Sequence, residues 1–226
     1  MHNTFLRGPV NTHSLEGTDL ILRSLLRDVN CGTYLDVGAN HPTYINNTFI
    51  FYEQGWRGFA VDASNRHVSA WARFRPRDTF INAIVSDNVR EVEFVEFPDD
   101  AMSTIESETI ERYSKRFDTD KVSIVHGSTT TLELICKSYE IREVHLLSID
   151  IEGEELNALR GANLSTLQPG VISCEVKNLS LYNFKDNAIC RYLDYFGYKF
   201  VAKTPLDAIF VLASKPYLNW IPSTLI

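Results

Sequence analysis

Apolar and polar positions along this chain switch repeatedly between two periods. Near-continuous apolar runs of strand length occupy residues 33–37, 58–61, 79–85, 145–149 and 170–176. Runs of this kind, rather than strict alternation, suit strands covered on both faces. Between them lie stretches with helical spacing: 14–28, where Leu15, Leu22, Leu25 and Leu26 recur, then 47–54 stopping at Gly55, 65–74, 106–117, 131–138, 153–161 and 187–195. Thr130 or Thr131 serves as the cap of the fifth of these helices, and Gly161 closes the sixth. Residues 91–97 alternate Val92 and Phe94 with polar partners and read as a short additional strand. The last two strands, 198–203 and 207–213, are joined by Thr204-Pro205-Leu206, a turn too short for a crossover helix, so they run antiparallel. The pattern predicts an α/β open sheet closed by one antiparallel hairpin. Residues 101–125 are the least regular and rich in Ser, Thr and charge; the stretch 98–130 is expected to cover the site.

Composition narrows this picture. At 226 residues the chain suits a single domain over 1–226, with an N-terminal helical segment in 1–30. A net charge of −7 argues against a nucleic-acid partner, and the run Arg66, Arg73, Arg75, Arg77 reads as a solvated helix face, with a local basic patch as the alternative. Cys31, Cys136, Cys174 and Cys190 are widely spaced with no C-x-x-C pair, as expected of a reduced, cytoplasmic protein. No apolar run reaches the ~20 residues of a membrane span, and the N-terminus lacks the pattern of a secretion signal. The apolar end from Trp220 to Ile226 is expected to dock on the domain or on a partner, and the oligomeric state is left open.

Candidate chemistry sits at the strand ends. Thr33 to Val37 runs through Asp36 into a turn at Gly38, and the next strand ends on Asp62. Gly38 permits a sharp turn and a close backbone approach to a ligand, while Asp62 is placed to accept hydrogen bonds from both hydroxyls of a ribose. A dinucleotide would need G-x-G-x-x-G, yet Asn40 and Thr43 hold the second and third glycine positions, with Pro42 between them. S-adenosylmethionine carries no phosphate and needs only one glycine, and Asp36 suits its cationic methionine half.

Four ordered motifs carry a family resemblance. Ser14-Leu15-Glu16-Gly17-Thr18-Asp19 is similar to an S-Q-x-G-x-D opening, departing at Leu15. Tyr34-Leu35-Asp36-Val37-Gly38-Ala39-Asn40-His41-Pro42 resembles the first motif of methyltransferases of the FkbM type. Asn47-Thr48 with Gly55-Trp56-Arg57-Gly58 resembles the family's S-N-T and G-W-R-G pair. Leu147-Ser148-Ile149-Asp150-Ile151-Glu152-Gly153-Glu154-Glu155 resembles its K-x-D-x-E-G-x-E segment, with Ser148 where Lys is common. The resemblance implies a Rossmann-like class I sandwich: a seven-stranded, mostly parallel sheet with one antiparallel C-terminal strand, helices on both faces, and S-adenosylmethionine across the first strand ends. It also implies oxygen methylation of a sugar in a glycan or glycoconjugate, of a polyketide or of another secondary metabolite. The departures at Leu15 and Ser148 leave open a non-catalytic module on the same fold.

The expected cofactor contacts are Asp36, Gly38, Ala39, Asn40, Asp62, Ala63, Asn82, Ala83 and Asp150; Asp87 reads equally as a contact to the adenine amine or as a turn-capping residue. A hydroxyl acceptor needs a base, and His41, Asp150, Glu152 and Glu175 lie beyond strand ends where open sheets gather their chemistry. His41 needs least pKa adjustment. Asp150 with Glu175 offers hard oxygen ligands suited to magnesium or manganese, with no metal ligand set assigned. Tyr44, Asn47 and Tyr182 are the expected acceptor contacts; Trp56 reads as core.

Overall fold

A computed structural model describes residues 11–98, 102–117, 121–177 and 179–218; the apolar end from Trp220 lies outside them. The main sheet is built from β1 (Thr33–Val37), β2 (Arg57–Asp62), β3 (Thr79–Asn82), β7 (Leu146–Ile149), β8 (Val171–Glu175), β9 (Lys199–Lys203) and β10 (Asp207–Val211). Its order is β3-β2-β1-β7-β8-β10-β9. β10 runs antiparallel to both its neighbours, and the other pairings are parallel. This is the Rossmann-like methyltransferase arrangement, with its single reversed strand inserted beside the last one.

Helices cover both faces because each central strand is apolar on both. One face packs Leu35, Val37, Leu147, Ile149, Ile172 and Cys174 against α5 (Leu132–Ser138), α6 (Glu155–Arg160) and α8 (Ala188–Tyr195). The other packs Tyr34, Leu146, Val171 and Ile209 against α1 (Thr18–Leu25), α2 (Phe49–Glu53) and the fully buried Trp56. Gly32 makes room for that indole, since a Cβ there would fall 2.4 Å from it. α3 (Val68–Phe74) adds Trp71 beside Ala39 and Ala60, and the one-turn α7 (Leu164–Leu167) follows α6.

Several boundaries differ from the sequence reading. The apolar run 79–85 is two strands: β3 pairs with β2, and after Ala83 the chain turns away so that β4 (Ile84–Val85) pairs with Thr129 and Thr130. Those residues belong to β6 (Ser123–Thr130), which the pattern missed and which also pairs antiparallel with β5 (Glu91–Glu96). β6 is exposed along most of its length, so no core imposed an apolar alternation on it. The first helix is shorter than 14–28, and Leu15 is exposed. The residues before α1 fold around Asp19, whose carboxylate accepts from Thr12 Oγ1 at 2.6 Å, the His13 amide at 2.7 Å and Ser14 Oγ at 3.0 Å. α4 (Ser107–Ser114) starts at Glu106, whose carboxylate caps the amides of Glu108 and Thr109. Thr131 and Asn187 cap α5 and α8 with their side chains. Among the described residues no helix is long and apolar enough to cross a membrane.

The arginine run is not uniformly solvated. Arg75 is 1% exposed, its Nε 2.7 Å from Asp78. Its NH1 donates to Asn46 and the Pro42 carbonyl, and its NH2 to Thr48. The guanidinium lies 4.2 Å from the ring centre of Trp71.

Candidate active site

A cleft of about 750 Å3, counting its mouth, opens at the C-terminal ends of β1, β2 and β7, where open α/β sheets place ligands. Its lining includes Gly38 and Asn40 after β1, Asp62 and Ala63 after β2, Ala83 to Val85 around β4, Phe94 on β5, and Asp150 to Glu152 after β7. Ser103, Thr104 and Ile105 close it from the irregular segment. Thr104 Oγ1 donates to the Glu152 carbonyl at 2.9 Å, fastening that segment to the turn after β7.

The turn after β1 is set by crowding. Gly38 has φ +79°, and a Cβ there would stand 1.7 Å from the Asp150 carbonyl. What its missing side chain admits is therefore the backbone of Asp150, and the turns after β1 and β7 are locked together through it. Asn40, also left-handed at φ 43°, donates its amide to Asp62 Oδ2 at 2.8 Å, and the Ser64 amide reaches Oδ1 at 2.8 Å. Asn82 stands outside the lining and donates to the carbonyls of Asp62 and Ala63. Asp87 lies away from the cleft, in an ion pair with Arg90 at 3.1 Å.

Asp36 is 4% exposed and is not part of the lining. Its carboxylate accepts from Thr48 Oγ1 at 2.6 Å and Asn46 Nδ2 at 3.2 Å. Burial pushes its pKa up to about 6, against the opposing pull of Arg75 and these donors. A carboxyl raised in the folded state binds protons that the unfolded chain has released, so its stabilising contribution is full below about pH 4 and is lost as pH rises through 6. At about 1.4 kcal/mol per pH unit this amounts to about 3 kcal/mol. Urea denaturation at pH 4.5 and pH 7 is expected to show a smaller pH dependence for Asp36→Asn than for the wild type; equal slopes would refute the assignment.

The remaining acids converge beyond β7 and β8. Carboxylate oxygens of Asp150, Glu155 and Glu175 lie within 4.8 Å of one another. Asp150 meets solvent through the cleft yet is crowded by protein on its other sides. Burial first, then the charges of Glu175, Glu152, Asp207 and Glu155, hold its carboxyl well above the usual range. Burial and Glu152 push Glu175 to about 8 even though Lys177 stands 3.2 Å away. Glu152, left-handed at φ 55°, binds Lys177 and accepts the Tyr113 hydroxyl at 2.7 Å. Asn47 hydrogen-bonds Asp207 at the edge of this pocket, and Thr18 Oγ1 donates to Asp207 at 2.6 Å.

Besides Asp36, Asn47, Asn82, Asp87 and Glu175, four expected site residues stand outside the cleft lining. His41 is off the cleft: its Nδ1 accepts the Thr43 amide at 3.3 Å, and its ring packs edge-on to His67 at 5.1 Å. Tyr44 is 68% exposed and Tyr182 fully so, and neither lines the cleft. Ala39 is packed against Ala60 and Trp71. Conversely, Tyr113 and Lys177 enter the site without having been anticipated. The spacing Glu175-Val176-Lys177 carries a signal, because alternate residues of extended chain project to one side.

Comparison with curated proteins and with solved structures returned no significant match. The profile of the Methyltransferase FkbM domain does match, over residues 36–200. The matched stretch begins at the buried acid of β1, takes in the cleft and the acid pocket, and ends within β9, and the chain belongs to the FkbM methyltransferase family.

Proposed function

We propose that the protein transfers the methyl group of S-adenosylmethionine to a hydroxyl oxygen, and that the acceptor is a sugar of a glycan or glycoconjugate. The carrying observation is the graded polarity of the strand ends. The apolar Ala83, Ile84, Val85 and Phe94 lie at one side, Asp62 comes next, and the acid pocket around Asp150 lies at the other. An adenine, a ribose diol and a cationic sulfonium with its ammonium make the same demands in the same order, and the residues present fit that cofactor. Bound there, S-adenosylmethionine supplies an electrophilic methyl carbon.

The chain's own residues do the rest. The Asn40 and Ser64 amides fix the plane of the Asp62 carboxylate, which accommodates about four hydrogen bonds in all, for the ribose hydroxyls. Ile45, Ile105 and Ile151 make part of the lining apolar and help exclude water. Asp150 is part of the cleft lining, and its carboxylate takes the proton of the acceptor hydroxyl; a raised pKa makes it a stronger base than an ordinary carboxylate. A pocket rich in acceptors suits a polyhydroxylated, uncharged acceptor and disfavours anionic ones.

Calorimetric titration tests the cofactor. The wild type is expected to bind S-adenosylmethionine, and Asp62→Ala to bind it about 10- to 100-fold more weakly through loss of charge-assisted hydrogen bonds. Unchanged binding by the variant would remove Asp62 from the site. Tight NAD binding in its place would point to a dehydrogenase. Transfer only to acceptors without a sugar would overturn the acceptor class and leave the cofactor assignment standing.

A further inference from the structure

The pocket beyond β7 and β8 has the composition of a magnesium or manganese site, with Asp150, Glu155 and Glu175 converging within 4.8 Å. Its hydrogen bonds are not those of one. Such ions take about six oxygens in near-octahedral geometry, so the carboxylates must turn lone pairs toward one centre. Glu155 instead directs Oε1 to the amides of Ile151 and Gly153, at 3.1 and 2.9 Å, and Oε2 to Gly153 at 3.2 Å. Glu152 Oε2 is engaged by both Tyr113 and Lys177. Glu175 Oε2 lies 3.2 Å from the same Lys177 ammonium. Lys177 thus stands between Glu152 and Glu175, the second of which belongs to the three-acid cluster, so its ammonium supplies a positive charge at the rim of that cluster, delivered there by its place two residues after Glu175.

We propose that Lys177 is the resident cation of this acid pocket, held in place of a divalent ion, so that the site works without magnesium or manganese. Lys177 is a positioning residue. It holds Glu152 against Tyr113 of α4 and ties the end of β8 to the turn after β7. The proposal concerns the pocket itself and stands whether or not the cleft takes S-adenosylmethionine.

The test titrates Mn2+ into the full chain, with free ion followed by electron paramagnetic resonance, for wild type, Lys177→Met, Lys177→Arg and the double variant Lys177→Met/Glu175→Gln. The wild type and Lys177→Arg are expected to show no binding below about 1 mM, the weak end of carboxylate sites. Lys177→Met is expected to bind at least about tenfold more tightly, since Glu152 and Glu175 then lack their cation, and the double variant to lose that gain. EDTA should leave the wild type's affinity for S-adenosylmethionine unchanged. Micromolar Mn2+ binding by the wild type would overturn the proposal, as would a folded Lys177→Met that gains no affinity. If Lys177→Met does not fold, the wild type and Lys177→Arg still decide, because tight Mn2+ binding by either refutes a lysine-held site.

Discussion

Asp150→Asn is expected to lower methyl transfer by about 100- to 10,000-fold, the range for loss of a general base, while S-adenosylmethionine still binds. Of the four candidate bases, Asp150 alone combines a place in the cleft lining with a carboxylate not engaged by Lys177. His41 lies off the cleft, Glu175 is 5% exposed beneath the pocket, and Glu152 is bound to Tyr113 and Lys177. The isosteric amide leaves untouched the backbone carbonyl that abuts Gly38 and removes the proton-accepting oxygen together with one of several negative charges facing the cofactor's cationic end, so binding weakens far less than transfer.

The pH profile carries the same argument. The proton-accepting form of Asp150 exists only above its pKa, which burial and its acidic neighbours raise, so the rate of the wild type rises with pH along a limb displaced above the ordinary carboxylate range. The asparagine variant should lose that limb. A His41→Ala variant should transfer methyl groups nearly as well as the wild type, because that ring touches Thr43 and His67 rather than the cleft. If His41→Ala abolished transfer while Asp150→Asn did not, the base would be misassigned.

The central strands are legible in the sequence because each is covered on both faces, and their apolar runs stand out. The acids at their tips are legible for the complementary reason: nothing in a two-sided core explains Asp62, Asp150 or Glu175. β6 is hidden because exposure on both faces relaxes its pattern, and the division of β3 from β4 is hidden because Ile81, Ile84 and Val85 are apolar on either side of the break. The site's inner contacts are harder still. That Gly38 abuts Asp150, or that Tyr113 reaches Glu152 across 39 residues of chain, depends on which elements meet, and local periodicity does not encode that. Asp36 illustrates the limit: its motif is plain, but only the fold reveals that its partners are Asn46, Thr48 and the charge of Arg75.

Arg75→Ala is expected to destabilise the fold by about 3–5 kcal/mol, the cost of removing one partner from a buried ion pair. The side chains of Arg75 and Asp78 are both fully buried and 2.7 Å apart. Without the guanidinium, Asp78 retains the Tyr34 hydroxyl at 2.7 Å and the Gly58 amide at 2.9 Å, but its charge is left uncompensated in a low-dielectric surround. Asn46 Oδ1 and the Pro42 carbonyl each lose a donor, and the ring of Trp71 loses the cation lying over it. Lysine should recover little, because a single ammonium cannot reach Asp78, Asn46, Thr48 and Pro42 from one planar group. Since Asn46 and Thr48 also hold Asp36, the damage extends to β1 just before Gly38. Urea denaturation of Arg75→Ala and Arg75→Lys measures the loss directly. A cost below about 1 kcal/mol, the worth of a surface pair, would mean that this arginine is as solvated as its neighbours in sequence suggest.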